Sequence, residues 1–419
     1  LCLISIIEVF SAASTLTYKS GDHWGPITQH SIILMVGAVV VVFLHNVPYK
    51  WFQVFPVFLY PISLVLLAFV TLMGIITGDR VNGAARWMTF MGLQFQPSEL
   101  AKMAVIIAVS FILSKRQDEE GANPNAFKYI MILTGLVLVL IAPENLSTAM
   151  LLFGVVFMMM FIGRVAAKKL LLLAGGLVLI VALGVGTVVA IPAKTLHNTP
   201  GLHRLETWQN RIKGFFDKDE VPAAKFDIDK DAQIAHARIA IATSHVVGKG
   251  PGNSIQRDFL SQAFSDFIFA IVIEEMGLIG GIFVVFLYLC LLMRAGRIAQ
   301  KCERTFPAFL VMGIALLLVS QAILNMMVAV GLFPVTGQPL PLVSKGGTST
   351  LINCAYIGMI LSVSRYTAHL EEQKEHDAQL QLQIETNAAD SEAQAAAEPT
   401  AQILNSDAKF EDENDINKG

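Results

Sequence analysis

The chain has 419 residues, of which 54% are hydrophobic and only 15% are charged, and its mean hydropathy is +0.59. This composition excludes an ordinary soluble domain and predicts an all-α, polytopic integral membrane protein, with no indication of a nucleic-acid partner. The formal net charge of −3 is unevenly distributed, because residues 371–419 hold 13 Asp and Glu against 3 Lys and Arg.

About ten apolar runs have the length of roughly 17–25 residues that a helix needs to cross a bilayer. They lie at residues 1–17, 27–45, 53–77, 97–114, 128–143, 147–163, 169–192, 264–293, 307–332 and 348–366. The fifth and sixth runs are predicted to meet in a tight turn at 142–145. Together the runs define a predicted membrane domain at residues 1–366.

The positive charges indicate how this domain is oriented. The short connections on one side of the predicted bundle hold twelve Lys and Arg, and those on the other side hold four. Because basic residues concentrate in cytoplasmic loops, both termini are predicted to be cytoplasmic. The long segment 193–263 then forms a large extracytoplasmic loop. Its amphipathic piece at 202–216 is predicted to lie in the membrane interface or in a solvated loop.

The C-terminal tail, residues 367–419, differs sharply in composition from the membrane domain. It is rich in Gln, Glu, Ala and Asp and carries a high negative charge. Such a composition predicts a disordered cytoplasmic tail, or at most a transient helix around 371–386.

The strongest indication of function is the stretch 248–281, where three carboxylates lie at or within an apolar run. A centrally placed carboxylate costs roughly 2.5–3.5 kcal/mol in a membrane on insertion scales. Asp266, at the predicted start of the eighth helix and on the outer face, is the first candidate for a catalytic residue. Glu274 and Glu275 are predicted to have different tasks, with at least one of them pairing with a basic residue on another helix.

A first polar cluster on the same outer side contains Arg86, Glu99 and Lys102. Glu99 and Lys102 are three residues apart, so they share a helix face and can pair. The pair could have a direct role at the site or could serve only helix packing. Arg86 could bind substrate or act as an interfacial anchor beside Trp87.

A second polar cluster is a glycine-rich loop that contains Gly250, Gly252, Asn253 and Ser254. Alternating glycines allow backbone N–H groups to approach an anion closely. The loop lacks the ending of a nucleotide-binding P-loop. It could therefore bind an anionic substrate or be a flexible turn that leads into a helix.

A third polar cluster follows Asn325 and covers the glycine- and proline-rich segment 331–349. Such a segment between two spans predicts a re-entrant or broken element that lines a cavity. Lys345 within it is a candidate cation for a phosphate-bearing substrate, or an ordinary interfacial lysine.

With these clusters the chain resembles the SEDS family (shape, elongation, division, sporulation) over essentially residues 1–366. The resemblance rests on ARW at 85–87, QPSELAK at 96–102, GPGNS at 250–254, DFIF at 266–269, EEMG at 274–277 and the segment 334–349. The chain departs from the common family pattern just before Asp266, at Pro143-Glu144-Asn145 and at Lys345. Arg257 is a candidate to replace a lysine that the family usually has.

The resemblance implies a peptidoglycan glycosyltransferase that polymerises lipid II, an undecaprenyl-pyrophosphate-linked substrate, at the outer face of the bacterial cytoplasmic membrane. It also implies a monofunctional class B penicillin-binding protein and other division or elongation proteins as partners. The family's catalytic aspartate falls on Asp266. The acidic extension favours the division branch of the family over the elongation branch.

As a hypothesis, Asp266 would act as general base while an acceptor sugar hydroxyl attacks the donor's anomeric carbon. Arg86, Lys102, Arg257 and Lys345 are candidates to neutralise the departing pyrophosphate. No cofactor is required by the sequence, although a divalent cation could share this task. The alternatives are a lipid II flippase or other transporter, and a non-catalytic scaffold of a division complex.

Overall fold

The computed structural model describes residues 1–12, 25–76, 88–90, 93–118, 121–191, 209, 228–260 and 265–416. The α-helices are α1 (Cys2–Ala12), α2 (Gly25–Asn46), α3 (Phe55–Ile76), α4 (Pro97–Lys115), α5 (Pro124–Ile141), α6 (Leu146–Ile162), α7 (Ala167–Ala190), α8 (Ile228–Ala242), α9 (Ile268–Lys301), α10 (Thr305–Ala329) and α11 (Thr348–Ile416). The antiparallel strand pairs are β1 (Met88–Phe90) with β2 (Leu93–Phe95) and β3 (Gln117–Asp118) with β4 (Gly121–Ala122). Short 3-10 helices lie at Tyr49–Gln53 and Gln256–Asp258.

The helices match the predicted membrane spans. Seven of the described helices, α2, α3, α4, α5, α7, α9 and α10, are long and apolar enough to cross a membrane, and α1 and α6 are shorter apolar helices. With the first turns of α11, each of the ten predicted runs contains a helix. The prediction of an all-α polytopic membrane protein is confirmed.

Local sequence signals explain where several helices begin. Pro97 and Pro124 lie in the first turns of α4 and α5, where a missing N–H costs nothing. Asn145 caps α6, and its side-chain oxygen accepts a hydrogen bond from the Thr148 N–H at 3.2 Å. The turn predicted at 142–145 is present, and α5 and α6 pack against each other.

The core of the bundle is built around α4 and α10, the two most buried of the spanning helices, whereas α7 is the least buried. Helix α10 packs against α9, α4 and α6. The outer helices expose apolar side chains, as expected of surfaces that face lipid. Buried polar groups instead lie inside the bundle, among them groups on α1, α4, α9, α10 and the first turns of α11.

Helix α8 belongs to the predicted outer segment 193–263 and packs against α9 and α10. This part of the segment is therefore an ordered element beside the bundle. The amphipathic piece predicted at 202–216 lies outside the described residues.

The chain divides into two compact units, Leu1–Ser364 and Arg365–Gly419. In the second unit, α11 continues to Ile416, and the side chains of residues 371–389 are exposed. The structure thus has an exposed helix where the composition predicts disorder or a transient helix. An exposed helix lacks the tertiary packing that supplies most helical stability in proteins.

Candidate functional site

Asp266 lies in the turn at 265–267, directly before α9 begins at Ile268. Its side chain is partly exposed, and the Ser265 hydroxyl donates a hydrogen bond to its Oδ1 at 3.0 Å. The next residue, Phe267, is completely buried and anchors the turn in the core. The carboxyl group is therefore held at the end of a spanning helix without being enclosed.

Two elements hold the backbone of this turn. Asn325 of α10 donates through Nδ2 to the Asp266 carbonyl at 2.9 Å and to the Gln338 carbonyl at 2.8 Å. Ser344 donates to the Ser265 carbonyl at 2.7 Å. The third predicted cluster thus lies beside Asp266, as expected for polar groups placed on one side of the bundle.

The predicted pair of Glu99 and Lys102 is present in α4, with 2.7 Å between Lys102 Nζ and Glu99 Oε1. Both side chains are buried, and Lys102 also donates to Gln321 Oε1 at 3.0 Å. Gln321 in turn donates to the Pro339 carbonyl at 3.0 Å. Since Gln321 and Asn325 are one turn apart on α10, the ion pair and Asp266 are connected through the same helix and the same proline-rich segment.

The glycine-rich loop is inserted into a break in α9. At Gly277 the backbone leaves the helical conformation, with φ 75° and ψ −176°. The carbonyl of Glu274 accepts instead from the Lys249 N–H at 3.0 Å, and that of Glu275 from the Gly250 N–H at 2.8 Å. On the other side of the break, the Leu278 N–H donates to the His245 carbonyl at 3.3 Å. The loop backbone thus replaces the missing helical hydrogen bonds.

The side chain of Glu274 binds the same loop. Its carboxylate lies 2.6 Å from Lys249 Nζ and accepts a hydrogen bond from the Ser254 hydroxyl. The backbone N–H groups of Ile255 and Gln256 donate to it at 3.2 and 3.3 Å. Glu274 is completely buried, and these partners compensate its charge.

The side chain of Glu275 binds the loop from the adjacent position. It accepts from the Gly252 N–H at 2.9 Å and the Ser254 N–H at 3.3 Å. Arg257 Nη1 lies 3.9 Å from its Oε1, and the Ser11 hydroxyl of α1 donates to it. The loop therefore contacts both glutamates.

This arrangement corrects two predictions about the glutamates. They share one task, because the loop crosses the break in α9 and reaches both side chains. Their basic partners, Lys249 and Arg257, lie in the loop and not on another helix.

The other cations that were predicted for the site differ in their contacts and burial. Arg257 donates to the Ser11 hydroxyl and to the Gly252 carbonyl, both at 2.8 Å. Lys345 is half-buried in the segment that follows Ser344, and burial lowers the pKa of its ammonium group. Arg86 lies outside the described residues.

Some residues of the site were not predicted from the sequence. Gln321 carries no local signal, since it is a single polar residue in an apolar helix. Ser5, Glu8 and Ser11 of α1 do carry one, because polar residues spaced by three share a helix face. Ser11 contacts Glu275 across 264 positions of sequence.

The fold and the site together define a polytopic helical membrane protein with a buried polar network that leads to one partly exposed aspartate. A family description that reads "cell cycle protein" and covers FtsW, RodA and SpoVE matches residues 1–369. The chain belongs to this FtsW/RodA/SpoVE family, and the resemblance to SEDS proteins is confirmed.

Individual relatives agree with this assignment. The chain is 32% identical to a protein of Trichlorobacter lovleyi named probable peptidoglycan glycosyltransferase FtsW, over 86% of this chain and 89% of that protein. A solved structure described as a peptidoglycan synthase complex that coordinates polymerization and crosslinking is similar with a TM-score of 0.63 and 25% identity, over 86% of this chain and 96% of that chain. The RodA crystal structure from Thermus thermophilus shares the fold, with a TM-score of 0.57 and 24% identity over 87% of this chain and 94% of that chain.

Proposed function

We propose that the chain is a peptidoglycan glycosyltransferase of cell division, which polymerises lipid II with Asp266 as general base. The observation that carries the proposal is the placement of Asp266 in a chain of this family. Its carboxyl is partly exposed, while its backbone is held by α10 and by the proline-rich segment. A base held in this way keeps its position while its partly exposed side chain can be reached by an acceptor hydroxyl.

In the proposed reaction, an acceptor sugar hydroxyl attacks the anomeric carbon of the donor. The bond from that carbon to the pyrophosphate oxygen breaks as the new glycosidic bond forms, and Asp266 takes the hydroxyl proton. A positioned proton acceptor contributes about 10²–10⁴-fold to rate. Since no second carboxylate is placed as a nucleophile among the described residues, single displacement with inversion is favoured.

Among the candidate cations, Lys345 is the favoured partner for the departing pyrophosphate. It follows Ser344, which contacts the backbone next to Asp266, and it is half-buried. Lys102 is fully buried with Glu99, and Arg257 is bound to Ser11 and Gly252, so both are proposed to position other groups. Arg86 stays a candidate from the sequence.

The glycine-rich loop has a more restricted role in this proposal. The N–H groups of Gly250, Gly252 and Ser254 already donate to Glu275, the first to its carbonyl and the other two to its carboxylate. Substrate contact from this loop would come from exposed groups such as Asn253. The described residues do not bring three His, Cys, Asp or Glu side chains together. A divalent cation that shares the neutralisation of the pyrophosphate stays a candidate from the sequence.

The chain is a membrane protein, and the proposal places it in the bacterial cytoplasmic membrane with both termini in the cytoplasm. Residues 1–366 would form the catalytic membrane domain and residues 367–419 a cytoplasmic tail. The similar peptidoglycan synthase complex supports a class B penicillin-binding protein as the crosslinking partner. Other division proteins would bind this pair.

Purified protein with its partner tests the role of Asp266 directly. The Asp266→Asn variant is expected to lose about 10²-fold or more in the rate of lipid II polymerisation in detergent. Asp377→Asn, on the exposed tail helix, is the matched control and is expected to keep the full rate. An unchanged rate for Asp266→Asn would refute the assignment of the base.

The same assay separates the enzyme from its two rivals. Detergent provides no second compartment, so a flippase would form no glycan there but would move lipid II across vesicles. A non-catalytic scaffold would form no glycan either, and its Asp266→Ala variant would assemble normally and support growth. Either pattern would replace the proposed function.

A further inference from the structure

Helix α1 presents a row of buried polar side chains that the proposed reaction does not use. Ser5, Glu8 and Ser11 are spaced by three and have 0%, 0% and 3% of their surface exposed. Ser5 contacts His30 at 2.8 Å and donates to the Val343 carbonyl at 2.6 Å. The row therefore runs from the proline-rich segment at one end to the glycine-rich loop at the other.

Glu8 is the exceptional member of this row. Both of its carboxylate oxygens are buried without a hydrogen-bond partner in the described part of the chain. The charged group that acts on Glu8 electrostatically is Glu275, a second carboxylate. Ser11, one turn further along the same face, donates to that same glutamate. Glu8 thus lies one helical turn from a side chain that binds Glu275, and it forms no ion pair among the described residues.

The charges around Glu8 do not balance. Lys249 compensates Glu274, and Arg257 compensates Glu275, although Arg257 also lies 3.6 Å from the exposed Asp258. Among the described residues, these pairs leave one negative charge, that of Glu8, without compensation.

The remaining titratable groups near this row do not supply the missing charge. His30 of α2 contacts Ser5 through Nε2, and its Nδ1 has no hydrogen-bond partner among the described residues. The charge of Lys345 acts electrostatically on His30, the residue that contacts Ser5. Tyr288 of α9 donates its hydroxyl to the Pro341 carbonyl. Among the described residues, none of these groups therefore neutralises Glu8.

A buried carboxylate without a partner is retained only if it is neutralised. We propose that Glu8, Glu275 and the Ser11 hydroxyl form a buried site for one small monovalent cation, a proton or a sodium ion, between α1, α9 and the glycine-rich loop. Carboxylate and hydroxyl oxygens suit either ion. The bound charge offsets the repulsion between the two carboxylates and so stabilises the attachment of α1 and the loop to α9.

Thermal unfolding of the purified full chain tests this site. If the folded state holds a proton that the unfolded chain releases, the midpoint of unfolding falls as pH rises from about 6 to about 9, because stability then decreases with pH. If the ion is sodium, the midpoint rises when sodium replaces N-methylglucamine at constant pH. We expect a shift of about 2 °C or more in one of these two series.

Glu8→Gln, which mimics the neutral acid, is expected to abolish that dependence. Glu375→Gln, on the exposed tail helix, is the matched control and should retain it. Infrared difference spectra between wild type and Glu8→Gln separate the two ions, since only a bound proton gives the carbonyl band of a protonated carboxyl group. If the variant does not fold, the wild-type protein is sufficient for the test. A wild-type midpoint of unfolding that responds to neither pH nor sodium would overturn the proposal.

Discussion

At the scale of single residues, the decisive feature is how each charge in the bundle is compensated. Lys102 shares its ammonium group between Glu99 and Gln321, and all of this lies inside the core. Asp266 differs, because it is partly exposed and receives a side-chain hydrogen bond from its neighbour Ser265. We therefore expect the buried charges to position other groups and the partly exposed carboxyl of Asp266 to take part in the reaction.

Breaking the Glu99–Lys102 pair tests this distinction. Removing one partner leaves a buried charge uncompensated, so Lys102→Met and Glu99→Gln are each expected to lower stability by about 3–5 kcal/mol. The double variant should recover most of the loss, because both charges are gone. Thermal unfolding of the purified variants measures this, with the exposed Lys50→Met as control. Additive losses in the double variant would contradict the pairing.

At the scale of elements, the unusual feature is a loop that completes the hydrogen bonding of a helix. Gly248 and Gly277 meet backbone to backbone, and a Cβ atom on either would lie 2.3 Å from backbone atoms of the other segment. Both have a positive φ, of 81° and 75°. The contact therefore requires glycine at both positions.

Alanine at either position is expected to expel the loop from the helix break. The backbone strain alone costs about 1–3 kcal/mol, and the steric overlap adds to it. We expect Gly248→Ala and Gly277→Ala to reduce both the midpoint of unfolding and lipid II polymerisation. Gly154→Ala is the matched control, because a Cβ there meets open space. Wild-type behaviour of both variants would show that the insertion is dispensable.

At the scale of the whole molecule, the described hydrogen bonds and ion pairs of the candidate site join residues of the unit Leu1–Ser364. The tail carries much of the negative charge, and its side chains at 371–389 are exposed. We therefore expect the site to keep its geometry without the tail.

Truncation after Thr367 is therefore expected to leave the rate of lipid II polymerisation within about twofold of the full chain, since exposed positions contribute little to a distant site. Detergent-purified full-length and truncated proteins, each with its partner, provide the comparison. A large loss of rate would mean that the tail takes part in the reaction or its regulation.

Much of this architecture could be predicted from the sequence, because its signals are local. Apolar run length predicted ten of the eleven described α-helices, all except α8, and the spacing of Glu99 and Lys102 predicted their ion pair. The turn at 142–145, whose last residue Asn145 caps α6, was also predicted from its residues. Each of these features depends on residues only a few positions apart, so hydrophobicity and helical geometry determine them before any tertiary packing.

Only the tertiary structure decided what the buried polar groups contact. Asn325 reaches Asp266 across 59 positions, and Ser11 reaches Glu275 across 264. The break at Gly277 appears in the sequence as one more glycine in an apolar run, and only the packed loop shows why the helix opens there. The sequence alone established a membrane bundle with an aspartate at its rim. The partners of its buried charges were decided by packing, because helices bring together polar groups whose separation along the chain carries no signal.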